Sequence, residues 1–136
     1  MSLALIRKAL ETRLAAAPGS LPTAYENTDF TPALALPYQR ANLLPNDPDD
    51  RERGTRGYTE RGLFQITLSY PYGKGSGAAG AYGNALRSHF KRGLTLVEGS
   101  LQIHVIHTPA VTPASIDEGR YVVAITVSWQ CYVNVI

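Results

Sequence analysis

Gly75-Ser76-Gly77-Ala78-Ala79-Gly80 is the stretch whose residue types and spacing point most directly to chemistry. It follows the G-x-G-x-x-G pattern, comes after an extended segment and opens an alanine-rich helical one. In a dinucleotide-binding unit such glycines let backbone N–H groups and a helix N-terminus hold a pyrophosphate, and an acid about 20 residues on binds a ribose. Leu94 to Val97 reads as a second strand, and Glu98 stands at about that distance. Three features oppose this reading. Pro71-Tyr72 separates the first strand from the glycines, where the fold needs a tight turn. That strand is polar on one face, whereas a doubly wound sheet is buried on both. The rest of the chain has no room for further helix–strand units. The alternative is a flexible loop that lets the helix fold back on the sheet. No G-x-x-x-x-G-K-[ST] sequence is present, so a Walker-type phosphate site is not indicated.

The other reactive side chains do not form a constellation. His89, His104 and His107 are the three histidines, and the last two fall on opposite faces of one extended segment, so they cannot share a metal. Ser100 and Ser115 lie in loop-like sequence without a nucleophile elbow. Cys131 falls on the apolar side of the last strand, where a buried small hydrophobe is the default. Nothing near it in sequence would depress its pKa. Asp47, Asp49 and Asp50 lack the glycine and distal glutamate of a calcium loop. No catalysis, cofactor or metal is therefore expected. Arg51, Arg53 and Arg56 are interleaved with acids, with only Tyr58 as a stacking aromatic. That is a weak nucleic-acid footprint, and mixed charge fits a protein partner better.

The elements that must carry these residues are legible as periodicities. Leu3, Ile6, Leu10 and Leu14, with Ala9 and Ala17, form a stripe on a helix from Ser2 to about Ala17, which Pro18-Gly19 ends. Leu21 to Glu26 is short and extended, and Pro22 suggests a sheet edge; Asn27-Thr28-Asp29 is a turn. Leu34 to Leu44 reads as a strand. Asn46 to Arg61 is dense in charge of both signs and nearly free of apolar residues, which predicts a long mobile loop. From Gly62 to Tyr70, Phe64, Ile66, Leu68 and Tyr70 alternate with Gln65, Thr67 and Ser69, the mark of a half-buried strand. Ala78 to Arg92 reads as a helix with Ala78, Tyr82, Leu86 and Phe90 in line and Gly93 as its left-handed C-cap. Leu101, Ile103 and Val105 mark another strand. Tyr121, Val123, Ile125, Val127, Trp129, Cys131 and Val133 mark a long one that belongs mid-sheet. Pro109, Pro113 and Asp117-Glu118-Gly119 lie between, as an antiparallel connection with a tight turn. The pattern is α+β, with an N-terminal and a central helix packed on a mostly antiparallel sheet.

Composition narrows the classes further. With 136 residues the chain makes one domain, and a domain near this size buries roughly 68–70% of its unfolded surface. A net charge of +2 supplies no global field for nucleic acid. No apolar run approaches the roughly 20 residues of a membrane helix, so no membrane partner is expected. Arg7 and Lys8 sit inside the amphipathic stripe rather than ahead of an apolar block, which argues against a secretory signal. One cysteine excludes an internal disulfide. The cytoplasm of the host cell is the expected compartment.

Taken together the chain resembles the bacteriophage tail terminator, or tail-completion, proteins of long-tailed phages and prophages. The likeness lies in the order and spacing of the N-terminal helix, Ala24-Tyr25-Glu26-Asn27, Pro37-Tyr38, the charged loop and Arg61-Gly62-Leu63-Phe64-Gln65-Ile66. The glycine stretch, the helix ending Phe90-Lys91-Arg92-Gly93 and the final Tyr-to-Trp strand continue it. The resemblance implies a structural protein without catalysis. It implies a ring, usually a hexamer, on the last ring of major tail tube protein at the head-proximal end of the virion tail. There it stops tube growth and receives the head-completion (connector) proteins. Arg51, Arg53, Arg56, Tyr58 and Lys74 are then candidates for contacts with the tube or a neighbouring subunit. Arg87, Lys91 and Arg92 are candidates for the bore, through which genome DNA would pass. A small nucleotide- or phosphate-binding module on Gly75 to Gly80 is one alternative, and another neck or tail-tube component is a second.

Overall fold

Two strands of 15 residues set the frame: β3 (Gly57–Pro71) and β8 (Arg120–Asn134). They pair antiparallel along their whole length, from Gly57 opposite Asn134 to Pro71 opposite Arg120. The computed structural model describes residues 2–32, 35–50, 57–73 and 76–134. On the far side of β3 lie β2 (Tyr38–Pro45), antiparallel, and β1 (Thr23–Ala24), parallel to β2. On the far side of β8 its length is shared out. Its start pairs with β7 (Ser115–Asp117), its middle with β6 (Ala110–Val111) and its end with β5 (Leu101–Val105). β4 (Thr95–Glu98) finishes that margin beside β5, so the main path runs β1-β2-β3-β8-β5-β4.

One face of this sheet is the core. Phe64, Ile66 and Leu68 of β3 and Ile125, Val127, Trp129 and Cys131 of β8 are fully buried there. Helix α1 (Ser2–Ala15) adds Ile6, Ala9, Leu10 and Leu14. Helix α2 (Gly77–His89) adds Ala79, Tyr82 and Leu86, and Phe90 after it meets the Phe64 ring at 6.1 Å. The opposite face is a polar row in which Gln65, Thr67, Thr126 and Ser128 are half-buried. Burying the Trp129 side chain stabilises by roughly 4–6 kcal/mol at 25 cal/mol per Å². Its indole N–H finds no partner among the described residues, which costs about 1–3 kcal/mol; burial wins. The ring reaches its place because Gly62 has no side chain: a Cβ there would stand 3.0 Å from the indole and 2.5 Å from the Leu44 carbonyl oxygen.

The α+β expectation holds, with its sheet, N-terminal helix and central helix. Several boundaries differ. Residues 57–61, expected within the loop, are the start of β3, and the loop's described beginning is paired to it. Asn46 N–H donates to the Arg61 carbonyl at 2.8 Å, and Asp49 and Thr59 exchange backbone hydrogen bonds. Period two fails to announce this part of β3 because its inward positions are Glu60, which is buried, and Gly62. In α2 it is Ala79 that faces the core, while Ala78 is exposed. The helix ends at His89, earlier than Arg92. Gly93 is left-handed, with φ +90°, but serves the sheet: its N–H donates to the Val105 carbonyl at 2.8 Å. The β7–β8 turn is the expected tight one. Glu118 and Gly119 both have positive φ, which matches the twist of a two-residue hairpin.

Polar joints lock the helices to the sheet. Gln39 is completely buried on β2. Its carbonyl oxygen accepts from the Tyr82 hydroxyl at 2.7 Å, and its amide donates to Thr23 Oγ1 at 2.9 Å and the Leu21 carbonyl at 3.3 Å. Arg13 and His89 clasp the C-terminal ends of the two helices. The guanidinium donates to the His89 carbonyl at 2.8 and 3.2 Å, and His89 Nε2 meets the Arg13 carbonyl at 2.6 Å. Tyr82→Phe leaves the Gln39 oxygen buried without its donor and should cost about 1–3 kcal/mol. Urea unfolding at neutral pH measures it; a shift below about 0.5 kcal/mol would mean the joint contributes nothing.

Candidate functional site

The glycine stretch does not sit in a nucleotide-binding geometry. Along the path β3-β8-β5-β4 each neighbour is antiparallel, so β3 and β4 run in opposite directions with two strands between them. A phosphate-binding crossover needs parallel strands in one sheet. Ser76 precedes α2 with φ −100° and ψ −6° and makes no side-chain cap. Gly75 lies outside the described residues. Glu98, the would-be ribose ligand, pairs with Lys8 at 3.0 Å on α1. A groove of about 280 Å³ does run along α2, between Ala79, Gly80 and Gly83 and the β-residues Val111, Tyr121 and Val123. It follows the flank of the helix and is mostly apolar.

The reactive side chains stay apart. His89 is spent on the helix clasp, His104 Nδ1 meets Thr95 Oγ1 at 3.0 Å, and His107 is exposed beyond the end of β5 rather than on it. Ser115 lies in β7, not in a loop. Burial pushes the Cys131 thiol up, against a backbone hydrogen bond from Gln102. A protonated, fully buried thiol is a poor nucleophile. Among the described residues no three His, Cys, Asp or Glu side chains converge on a metal-sized site.

Of the contact candidates, Arg51, Arg53, Arg56 and Lys74 lie outside the described residues. Tyr58 is in β3, half-buried against the core. Arg87 is exposed on α2 and donates to the Pro109 carbonyl at 3.1 Å. Lys91 and Arg92 are exposed in the turn between α2 and β4, beyond the helix rather than in its last turn. They follow the last turn of α2, which carries Arg87, while Tyr58 sits on the sheet.

The sheet margins are the features that sequence reasoning missed. On the β2 side, β1 covers Gln39 and Arg40, and the Glu26 carboxylate accepts from Leu43 N–H at 2.5 Å and from Arg7 at 3.1 Å. On the opposite side, among the described residues, β4 and β7 each pair through one edge only. Val97 and Ile116, on those two strands, are 66% and 55% exposed. Large apolar side chains at open strand edges are a template for another chain. The nearest sequence signals were Gly93 and Gly99 bracketing β4 and a polar tight turn beside Ile116, neither of which reveals an open edge.

A family profile described as phage tail terminator protein matches residues 5–129. The chain belongs to that family. A solved structure whose title states no function resembles this tail terminator with a TM-score of 0.77 at 31% identity, over 96% of each chain. No curated protein matches it. Membership makes the chain a structural phage tail protein, whose relevant chemistry is protein contact. No helix among the described residues is long and apolar enough to cross a membrane.

Glu26 fastens the closed margin and is the acid to test. Partial burial opposes its ionisation, but the hydrogen bonds from Arg7 and Leu43 N–H outweigh that and hold it below its ordinary 4.5. A lowered folded-state value adds stability above pH 4.5 that is lost as pH falls through the folded value. Glu26→Gln should therefore lower the urea midpoint at pH 7, and the gap from the parent should close as the pH drops below 4. A gap that is constant from pH 7 to 3 would rule out the charge as its source.

Proposed function

We propose that this tail terminator forms a ring, expected as a hexamer, on the last ring of major tail tube protein. It ends tube polymerisation there and offers the surface on which head-completion proteins join head to tail. The observation that carries this reading is the family match over nearly the whole chain. The finish of the sheet margins supports it. A ring needs heterologous contacts, in which one surface meets a different one on the next copy, and the two sides of this sheet differ. The role requires no catalysis, and the polar joints and buried thiol are consistent with that.

Within this reading Arg51, Arg53, Arg56, Tyr58 and Lys74 meet the tube or an adjacent subunit. Arg87, Lys91 and Arg92 line the bore, where exposed cations favour the passing genome DNA through its phosphates. The protein works at the head-proximal end of the virion tail after assembly in the host cytoplasm.

Electron microscopy of particles made without the protein tests the role. Overlong tail tubes without heads are the expected outcome, and absent tubes would make the protein a tube subunit instead. Replacing Arg51, Arg53 and Arg56 together by alanine should leave the thermal unfolding of the free protein unchanged and abolish tail joining. Normal joining in that variant would remove the charged loop from the contact.

A further inference from the structure

The open margin carries both halves of a contact. Between α1 and β4 lies a groove of about 250 Å³, lined by Ala9 and Thr12 on the helix, Ala16 just beyond its end, and Leu96 and Glu98 on the strand. Leu96 stands opposite the buried Ile103, so it points to the helix side of the sheet. Ile116 of β7 stands opposite Tyr121, which packs on the core, so it too points to the helix side, yet it is 55% exposed. The backbone beside each residue belongs to a strand whose outer edge no other strand among the described residues takes. Charge agrees with the shapes. Arg13 and Glu98 line the groove, and Lys8, its side chain 66% exposed, is ion-paired to Glu98 at 3.0 Å, so two cations stand against one carboxylate there, while the exposed Asp117 and Glu118 follow Ile116.

The two halves cannot meet within one chain. Ile116 lies beside Tyr121, and Ile103, next to β4, lies beside Cys131. Ten residues of β8 separate those positions, roughly 30 Å of extended chain. We propose that the β4 edge takes the β7 edge of a second copy of this chain. The second copy's Ile116 fills the α1–β4 groove and its Asp117-Glu118 turn faces Lys8. Strand addition satisfies the free ladder groups of both edges, and the pocketed side chain sets the register. The inference rests on the self-associating reading above and names surfaces that reading leaves open.

Mixed cross-linking tests it. Val97 and Ser115 are exposed and point to the other face of their strands, so Val97→Cys and Ser115→Cys leave Leu96, the helix wall of the groove and Ile116 intact. The two full-length single variants, carrying different tags, are mixed at high concentration and oxidised. Disulfide formation needs Cα atoms within about 7 Å, so the mixed pair should exceed either like pair about ten-fold. Adding Ile116→Asp to the Ser115→Cys chain should reduce the mixed product about ten-fold or more. Equal yields of mixed and like pairs, or a yield indifferent to Ile116→Asp, would overturn the contact. Tails separate this failure from that of the ring reading. If loss of the protein gives overlong tubes but Ile116→Asp phage make tails of normal length, the contact is wrong and the ring stands.

Discussion

The register between β3 and β8 decides where every other part can go. Phe64, Ile66 and Leu68 meet Val127, Ile125 and Val123 on one face, and Gln65 and Thr67 meet Thr126 and Ala124 on the other. Side chains alternate with a period of two, so a slip of one residue would carry the apolar set into solvent and the glutamine and threonines under the helices. The penalty grows with the number of buried rows, and this ladder has many. Gly62 opposite Trp129 supports the same register, because a side chain at residue 62 would crowd both the indole and the β2 backbone at Leu44 and Pro45. The helices then have a single surface to cover: α1 reaches it from before the long pair and α2 from the connection between its two strands.

Much of this frame was readable from residue order because it rests on burial, and burial writes itself as periodicity. The β8 pattern from Tyr121 to Val133 appears in the core as read, and so does the α1 stripe at Ile6, Leu10 and Leu14, whereas Leu3, read as its first member, is exposed. Where the reading slipped, a residue was buried or exposed against its type. Glu60 is buried on β3, so the strand began before its alternation did. Ala78 and Ala79 are indistinguishable by hydrophobicity, and only the packing of α2 on the sheet makes the second one the buried one. Gly93 showed correctly as a left-handed residue, but its N–H answers to Val105, far along the chain. A local signal names a backbone state and leaves the partner open.

The polar joints were not readable, for a related reason. Gln39 with Tyr82 and Arg13 with His89 are pairs 43 and 76 residues apart, and each residue alone looks like ordinary surface. A buried amide tolerates only partners that satisfy it, because an orphaned polar atom costs more than the bond returns. Such joints therefore add little net stability but exclude other ways of laying the helices on the sheet. Arg13 adds a second effect: it brings a positive charge and two donors to the α2 carbonyl end, where the helix dipole is negative.

The margins follow from the same long-range pairing. An antiparallel sheet with one very long strand cannot cover that strand's length with a single neighbour when the connecting chain turns back after a few residues. β5, β6 and β7 each take a piece of β8; β4 covers the outer side of β5, and among the described residues no strand takes the outer sides of β4, β6 and β7. A solitary domain would blunt such edges, as β1 and Glu26 do on the other side. Blunting one margin and leaving the opposite one short and open limits how copies can add. Each open segment has at most four residues, too few to hold a second chain by ladder bonds alone in dilute solution. Association then depends on side-chain fit beside the edge and on a template that raises the local concentration. In the proposed assembly the tail tube is a template of that kind, which would tie ring formation to the place where the ring is needed.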